Sequence, residues 1–83
     1  MSFRILISPQ ANKFLKKLET SISERIKKKF KELSINPELG KPLTGKLAGL
    51  WSLRVGDYRT IYQIRKSESS VLVLKLGHRK NVY

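Results

Sequence analysis

The sequence predicts an α+β domain with the element order β-α-α-β-β-β, in which a helical hairpin packs on one face of an antiparallel sheet. Two segments with helical apolar spacing fill the first half of the chain, and three runs rich in β-branched and aromatic residues fill the second. A further short apolar run opens the chain, and the sheet is mixed if this first strand pairs in parallel. Because 83 residues suit one domain, we assign residues 1–83 to a single unit.

The N-terminal segment predicts a strand followed directly by a helix. The run from Phe3 to Ser8 is short, apolar and partly β-branched, which is typical of a strand. Ser8 is a favoured N-cap residue, and proline, here Pro9, is favoured at the first helical position. Apolar residues then recur on one face of the first helix, at Ala11, Phe14, Leu15 and Leu18.

A second helix and a long loop follow. The pattern Ser21-Ile22-Ser23-Glu24 is that of a capping box, so we expect the helix to begin there. Its apolar positions are Ile22, Ile26, Phe30 and Leu33, and Asn36-Pro37 should end it. With only two or three residues between them, the two helices should form a hairpin. Residues 36–49 are rich in glycine and proline and predict a loop, which is either functional or a plain crossover to the sheet.

The C-terminal half predicts three strands, Leu50 to Val55, Tyr58 to Arg65 and Val71 to Gly77, joined by turns at residues 56–57 and 66–70. Alternate residues of a strand face opposite sides of a sheet. In the first two strands we expect these residues to face the helices: Trp51, Leu53, Val55, Tyr58, Thr60, Tyr62 and Ile64. In the last strand we expect Leu72, Leu74 and Leu76 to face the helices, and Val71, Val73, Lys75 and Gly77 to face away.

The composition restricts the possible functions. There are 18 Lys and Arg residues against 6 Asp and Glu, a formal net charge of +12, which predicts a polyanionic or acidic protein partner. The chain has no cysteine and a single histidine, which argues against disulfides and against a metal site. It has no apolar run of about 18–20 residues, the length needed to span a membrane. We therefore expect a cytoplasmic protein without a metal, a cofactor or a membrane partner.

The same alternation places Arg54, Arg59, Arg65 and Lys75 together on the sheet face that the helices leave uncovered, called here the open face. His78 and Arg79 follow where the last strand ends. Many open sheet faces are charged only because they face water. Arginine, however, suits two-pronged contacts with phosphate, so the arginine-rich pattern favours phosphate binding over a merely solvated face.

Two motifs make the chain resemble a known family. The stretch LWSLRVGDYRTIYQI and the C-terminal VLVLKLGHRKNVY are similar to the corresponding parts of the RelE/ParE superfamily of toxins from type II toxin–antitoxin systems. The first strand and the helical hairpin also occur in the order expected for that family. The resemblance therefore covers the whole chain, and it implies the fold predicted above.

The resemblance also implies an activity. RelE-like members enter the ribosomal A site and cut mRNA there without a metal: a 2′-hydroxyl attacks the neighbouring phosphate and leaves a 2′,3′-cyclic phosphate and a 5′-hydroxyl. The implied partners are mRNA, the ribosome with its rRNA, and an acidic RelB-like antitoxin. ParE-like members instead inhibit DNA gyrase. That function, and a basic RNA-binding module without toxicity, remain open alternatives.

The resemblance further implies roles for individual residues. Arg59, in the DYR motif, matches the arginine that holds the scissile phosphate, and Arg79, in the GHR motif, matches the arginine near the leaving oxygen. Tyr83 matches the terminal tyrosine that stacks on or orients an mRNA base, or else it is an end residue without a role. Such stacking is worth about 1–3 kcal/mol per base.

Two positions depart from the RelE-like pattern, which has lysines at the places of Ser52 and Arg54. Arginine is a poor general base because it hardly loses its proton, so we expect Arg54 to neutralise developing charge. His78 is then expected to move the proton, since imidazole titrates near neutral pH, or else to be structural at a strand end. Three further residues are expected to contact RNA: Lys75, Arg65 and Ser52.

Overall fold

The computed structural model describes residues 2–80, which form two helices on one face of a five-stranded sheet. The elements, in chain order, are β1 (Arg4–Ile7), α1 (Pro9–Lys17), α2 (Thr20–Ile35), β2 (Lys41–Pro42), β3 (Trp51–Val55), β4 (Tyr58–Arg65) and β5 (Ser70–His78). The strand order is β1-β5-β4-β3-β2; β1 pairs in parallel with β5, and the other pairs are antiparallel. The predicted α+β fold is confirmed, in its mixed-sheet form.

Strand β2 lies within residues 36–49, where the sequence predicted a loop. It pairs Lys41 with Ser52 and Pro42 with Trp51, and it forms one edge of the sheet. Short 3₁₀ turns at Pro37–Leu39 and Gly45–Leu47 lie on either side of it. A two-residue strand flanked by glycine and proline has no sequence periodicity, so only its pairing with β3 reveals it.

The start of α1 is held by Ser8, as predicted. Its side-chain oxygen accepts a hydrogen bond from the Ala11 backbone N–H at 3.1 Å, and Pro9 occupies the first helical position. The same hydroxyl donates to the carbonyl oxygen of Leu74 at 2.8 Å. Ser8 therefore caps the helix and ties it to β5 with one side chain.

The capping-box prediction for α2 is wrong. The helix begins at Thr20, with Glu19 as its N-cap residue and no side-chain hydrogen bond to cap it. Ser21 is therefore already inside the helix, and the Ser23 hydroxyl donates to the carbonyl of Thr20 at 3.1 Å. The connection from α1 is consequently short, only Leu18 and Glu19, which keeps the two helices together as a hairpin.

The predicted facing of β5 is wrong in its first half. Val71 and Val73 are fully buried in the core beneath the helices, and Leu72 pairs with Gln63 on the open face. The cause is a β-bulge: Ile61 pairs with Lys75 but Tyr62 pairs with Val73, which leaves Leu74 as an extra residue. Beyond the bulge the alternation is as predicted, with Leu76 in the core and Lys75 on the open face.

The core lies between the helices and the sheet. Residues from every helix and from the central strands contribute to it: Ala11, Leu15, Ile26, Phe30, Leu33, Leu53, Val55, Tyr62, Val71, Val73 and Leu76. Trp51 packs against this cluster, with its ring stacked on Tyr62 at a centroid distance of 6.3 Å. Within residues 2–80, neither helix has the length and apolar character that crossing a bilayer requires.

Candidate functional site

The open face carries four cations spread over strands β2 to β5, called here the basic cluster: Lys41, Arg54, Arg59 and Lys75. Strand pairing places them in two adjacent rows. One row runs Lys41–Ser52–Ile61–Lys75 across four strands, and the other runs Arg54–Arg59–Gly77. Directly paired residues present their side chains on the same side of a sheet. The rows therefore bring together three cations that the sequence predicted on this face and one, Lys41, that it did not.

Arg54 and Arg59 are direct cross-strand partners. Like charges placed opposite each other repel, so an anion that lies between them stabilises the arrangement. The Arg54 side chain is exposed, and its Nε donates to the carbonyl oxygen of Gly56 at 3.2 Å, which fixes its direction at the β3–β4 turn. Arg59 is half-buried, and its Nε is excluded from solvent.

A surface cavity of about 440 Å³ adjoins the basic cluster. It lies between the β2 segment and the ends of β3 and β4, and it is lined by Leu39, Gly40, Lys41, Pro42, Leu43, Ser52, Leu53, Arg54 and Arg59. Three cations and several apolar side chains thus border one open space. Such a lining suits a ligand that has both a phosphate and a flat apolar part, as a nucleotide has.

The segment that leads into β2 forms one wall of this cavity and is held in place by the Tyr62 side chain. The Tyr62 hydroxyl donates to the Pro37 carbonyl at 2.7 Å and accepts from the Gly40 backbone N–H at 3.0 Å. Burial raises the pKa of this hydroxyl above its ordinary value of 10.0, an effect that Gly40 opposes and Glu38 reinforces. A side chain at Gly40 would collide with the carbonyl oxygen of Ser52 and with the Tyr62 hydroxyl, so this close approach requires glycine.

The two residues expected to complete the site lie at the end of β5. His78 pairs with Tyr58, and its ring packs edge-on against the Tyr58 ring at 5.9 Å, on the helix face of the sheet. Arg79 follows directly, and its backbone N–H donates to the Asp57 carbonyl at 2.9 Å. The histidine and the basic cluster are therefore on opposite faces of the sheet, although Gly77, the residue before His78, pairs with Arg59.

Other sequence-predicted residues lie apart from the cluster or outside the described part of the chain. Arg65 lies about 20 Å along β4 from Arg59, at about 3.3 Å per residue. Its guanidinium contacts the Gln63 side chain at 3.1 Å and Glu68 at 3.6 Å. Tyr83 lies outside the described residues 2–80.

The sequence analysis missed Lys41 because it assigned residues 36–49 to a loop. Without the β2–β3 pairing there was no reason to place that lysine on any face. The only sequence signal was the length of the loop, since long loops in small domains are often functional.

Comparisons with known proteins agree with this architecture. The family model described as the ParE toxin of type II toxin–antitoxin systems, parDE, matches residues 5–83. The chain is 34% identical to Toxin RelG of Mycobacterium tuberculosis (strain ATCC 25618 / H37Rv) over 85 aligned residues, which covers 100% of this chain and 98% of that protein.

Two solved structures extend the comparison. A chain of the toxin–antitoxin complex RelBE2 from Mycobacterium tuberculosis superposes with a TM-score of 0.87 at 33% identity, covering 95% of this chain and 100% of that one. A chain of the archaeal RelE–RelB complex from Pyrococcus horikoshii OT3 gives a TM-score of 0.78 at 30% identity, covering 98% and 99%. The chain described here belongs to the RelE/ParE superfamily and is a RelE-like toxin of a type II toxin–antitoxin system.

Proposed function

We propose that this toxin is a ribosome-dependent endoribonuclease that cuts mRNA in the ribosomal A site. The observation that carries the proposal is the direct pairing of Arg54 with Arg59 beside an open cavity. Two arginines opposite each other bind a phosphate with four or more charged hydrogen bonds, and the bound anion relieves their mutual repulsion. An RNA phosphate meets both requirements.

The reaction uses a nucleophile that the RNA itself supplies. The 2′-hydroxyl attacks the adjacent phosphorus, the bond to the 5′-oxygen breaks, and the products end in a 2′,3′-cyclic phosphate and a 5′-hydroxyl. Arg59 neutralises the charge that builds up on the phosphate oxygens, Arg79 neutralises the leaving oxygen, and Arg54 assists at the attacking oxygen. The ribosome supplies what a small protein lacks, namely a bent mRNA in which the attacking and leaving oxygens lie in line.

His78 is the proposed proton carrier, because imidazole changes charge near neutral pH. Its ring lies on the helix face, so this role requires the RNA to bend around the end of β5, where Arg79 follows His78. Lys75 and Ser52 contribute contacts on the open face, Arg65 contacts RNA farther along β4, and Tyr83 orients a base.

The cognate partner is proposed to be an acidic RelB-like antitoxin. The support is the net charge of +12, together with the relatives from Mycobacterium tuberculosis and Pyrococcus horikoshii that were solved as toxin–antitoxin complexes. Opposite charge accelerates association and makes it sensitive to salt. The proposed site of action is the cytoplasm, where ribosomes translate mRNA.

The test is primer extension on a defined mRNA, with and without programmed ribosomes. The proposal expects discrete A-site cuts that require the ribosome and that decrease strongly in Arg79→Ala. A parallel His78→Ala reaction shows whether that imidazole carries the proton. If the folded toxin makes no cut, the proposal is contradicted.

Gyrase inhibition is the second candidate, favoured by one observation: the matching family model is the one described for ParE toxins. A DNA supercoiling assay with purified gyrase separates the two functions. A nuclease of the proposed kind leaves supercoiling unchanged at toxin concentrations that cut all ribosome-bound mRNA. Loss of supercoiling without mRNA cleavage selects the gyrase function.

A further inference from the structure

We propose that Lys41 is a catalytic residue whose ammonium group contacts a non-bridging oxygen of the scissile phosphate. The inference rests on the proposed mRNA cleavage and adds a residue from outside the three C-terminal strands. Lys41 borders the cavity that Ser52, Arg54 and Arg59 also line. Three steps support it: its position in the sheet, the rigidity of its backbone, and its charge.

The position of Lys41 follows from the strand pairing. It is the direct partner of Ser52, whose own partner on the other side is Ile61. Ser52 and Ile61 are both uncharged, and they lie between Lys41 and Lys75 in this row. The two lysines are therefore three strand spacings apart, about 14 Å. Arg54 and Arg59 form the adjacent row. A phosphate above Ser52 therefore has Lys41 beside it in the same row and an arginine beside it in the adjacent row.

The backbone that carries Lys41 is held in place on both sides. On the sheet side it pairs with β3. On the chain side the preceding residue, Gly40, donates its N–H to the Tyr62 hydroxyl and lies too close to Ser52 to accept a side chain. Tyr62 is itself fully buried. The backbone at Lys41 therefore needs no rearrangement when the ammonium group binds, so only the side chain loses freedom.

The charge of Lys41 is not used in the ion pairs that join described residues. Those pairs are Lys29–Glu32 and Arg65–Glu68, both away from the cavity. The Lys41 side chain is exposed at the rim, beside other cations. Three like charges border one space, and contact with a phosphate oxygen lowers the repulsion among them.

The experiment measures single-turnover cleavage of mRNA on programmed ribosomes as the toxin concentration is raised to saturation. Lys41→Ala is expected to lower the rate at saturation by about 10- to 100-fold, the range for losing one charged hydrogen bond to a reacting group. Lys41→Arg should restore most of the rate, because it keeps the positive charge. The matched control is Lys46→Ala, an exposed lysine of the same segment that does not line the cavity, and it should stay within about 3-fold of wild type.

A charge-relocation pair makes the test independent of general damage. Because residues 41 and 52 are direct cross-strand partners, Lys41→Ser combined with Ser52→Lys moves the ammonium by one strand. Because the RelE-like pattern itself has a lysine at position 52, Ser52→Lys alone is measured as well, and the double variant should gain more over Lys41→Ser than Ser52→Lys gains over wild type. Thermal unfolding midpoints should show that all variants are folded.

The outcomes separate this inference from the proposed function. If wild-type toxin cuts and Lys41→Ala cuts equally fast at saturation, only the inference fails. If Lys41→Ala needs more toxin but reaches the same maximal rate, Lys41 is an ordinary RNA-binding residue, which also contradicts the inference. If wild-type toxin makes no cut at all, the proposed function fails and the inference fails with it.

Discussion

The helix face and the open face of the sheet have opposite characters. On the helix face, Tyr62, Val71 and Val73 are completely excluded from solvent and pack beneath two helices. On the open face, Arg54 and Arg59 are paired as like charges beside a cavity. The first arrangement lowers the free energy of the folded chain, whereas the second brings two like charges together, which favours the binding of an anion. The comparison indicates that stability and function are divided between the two sides of one sheet.

The largest expected effect is on stability, from the helix face. Phe30 in α2 is 4% exposed and belongs to the core. Phe30→Ala should lower the free energy of unfolding by about 3–5 kcal/mol, because the lost contacts leave a cavity. Urea unfolding measures it, with the exposed Lys31→Ala as control, expected within about 0.5 kcal/mol of wild type. A loss below about 1 kcal/mol would contradict the division between the faces.

The next effect is on cleavage, from the open face. Arg59→Ala should slow A-site cleavage by about 100- to 1000-fold, the usual result of removing one group that stabilises transition-state charge. Its unfolding midpoint should remain close to that of wild type, because Arg59 is outside the core cluster. Lys66→Ala, at an exposed lysine in the turn after β4, is the control and should cut within about 3-fold of wild type. Equal losses in both variants would mean that only the overall positive charge matters.

Tyr62 links the two faces, because its ring is in the core and its hydroxyl holds the segment that leads into β2. Tyr62→Phe should lower the free energy of unfolding by about 1–2 kcal/mol, since two partly buried backbone groups lose their partner. Urea unfolding at neutral pH measures this, and Tyr58→Phe, whose hydroxyl makes no hydrogen bond among those found within residues 2–80, is the control. An unchanged stability would show that the hydroxyl does not hold the segment.

The same variant tests a pH dependence. Burial raises the pKa of Tyr62 in the folded chain above its ordinary value of 10.0. The folded state therefore binds this proton more tightly than the unfolded state, so its contribution to stability is complete below pH 10 and is lost as the pH rises through the folded pKa. Above pH 10, the free energy of unfolding should fall more steeply with pH in wild type than in Tyr62→Phe. Parallel decreases in the two proteins would contradict this prediction.

The smallest effect concerns Ser8, which joins α1 to the bulge in β5. Ser8→Ala removes the bond from Ala11 and the bond to Leu74. The expected loss in free energy of unfolding is about 1 kcal/mol, typical of a helix N-cap, and cleavage should stay near that of wild type. Ser8→Thr keeps the hydroxyl and should recover most of the loss. If Ser8→Ala slowed cleavage more than it lowered stability, helix-face changes would not be independent of the open face.

Most of the fold could be predicted from local patterns, because helical and strand periodicities are properties of short segments. The bulge could not, since Val71 to Leu76 is apolar at nearly every position and either alternation looks equally buried. The capping box at Ser21 failed because the N-cap of α2 lies two residues earlier, at Glu19, after the short connection from α1.

The site could be predicted only as far as regular alternation extends. Arg54, Arg59 and Lys75 lie on the open face, as their spacing indicated. Lys41 could not be placed, because its position depends on pairing with a strand ten residues later and on the contact between Gly40 and Tyr62. The helix-face position of His78 follows from the same alternation, because His78 lies two residues after Leu76, although the sequence analysis placed it only at the strand end.

In the proposed cleavage reaction, the open face stabilises charge while the RNA supplies its own nucleophile. The most direct measurement compares single-turnover cleavage of two ribosome-bound mRNAs, one unmodified and one with a 2′-deoxy nucleotide on the 5′ side of the cut. We predict that the unmodified mRNA yields a 2′,3′-cyclic phosphate end and that the modified bond is not cut. Cleavage of the modified bond at an undiminished rate would contradict the claim.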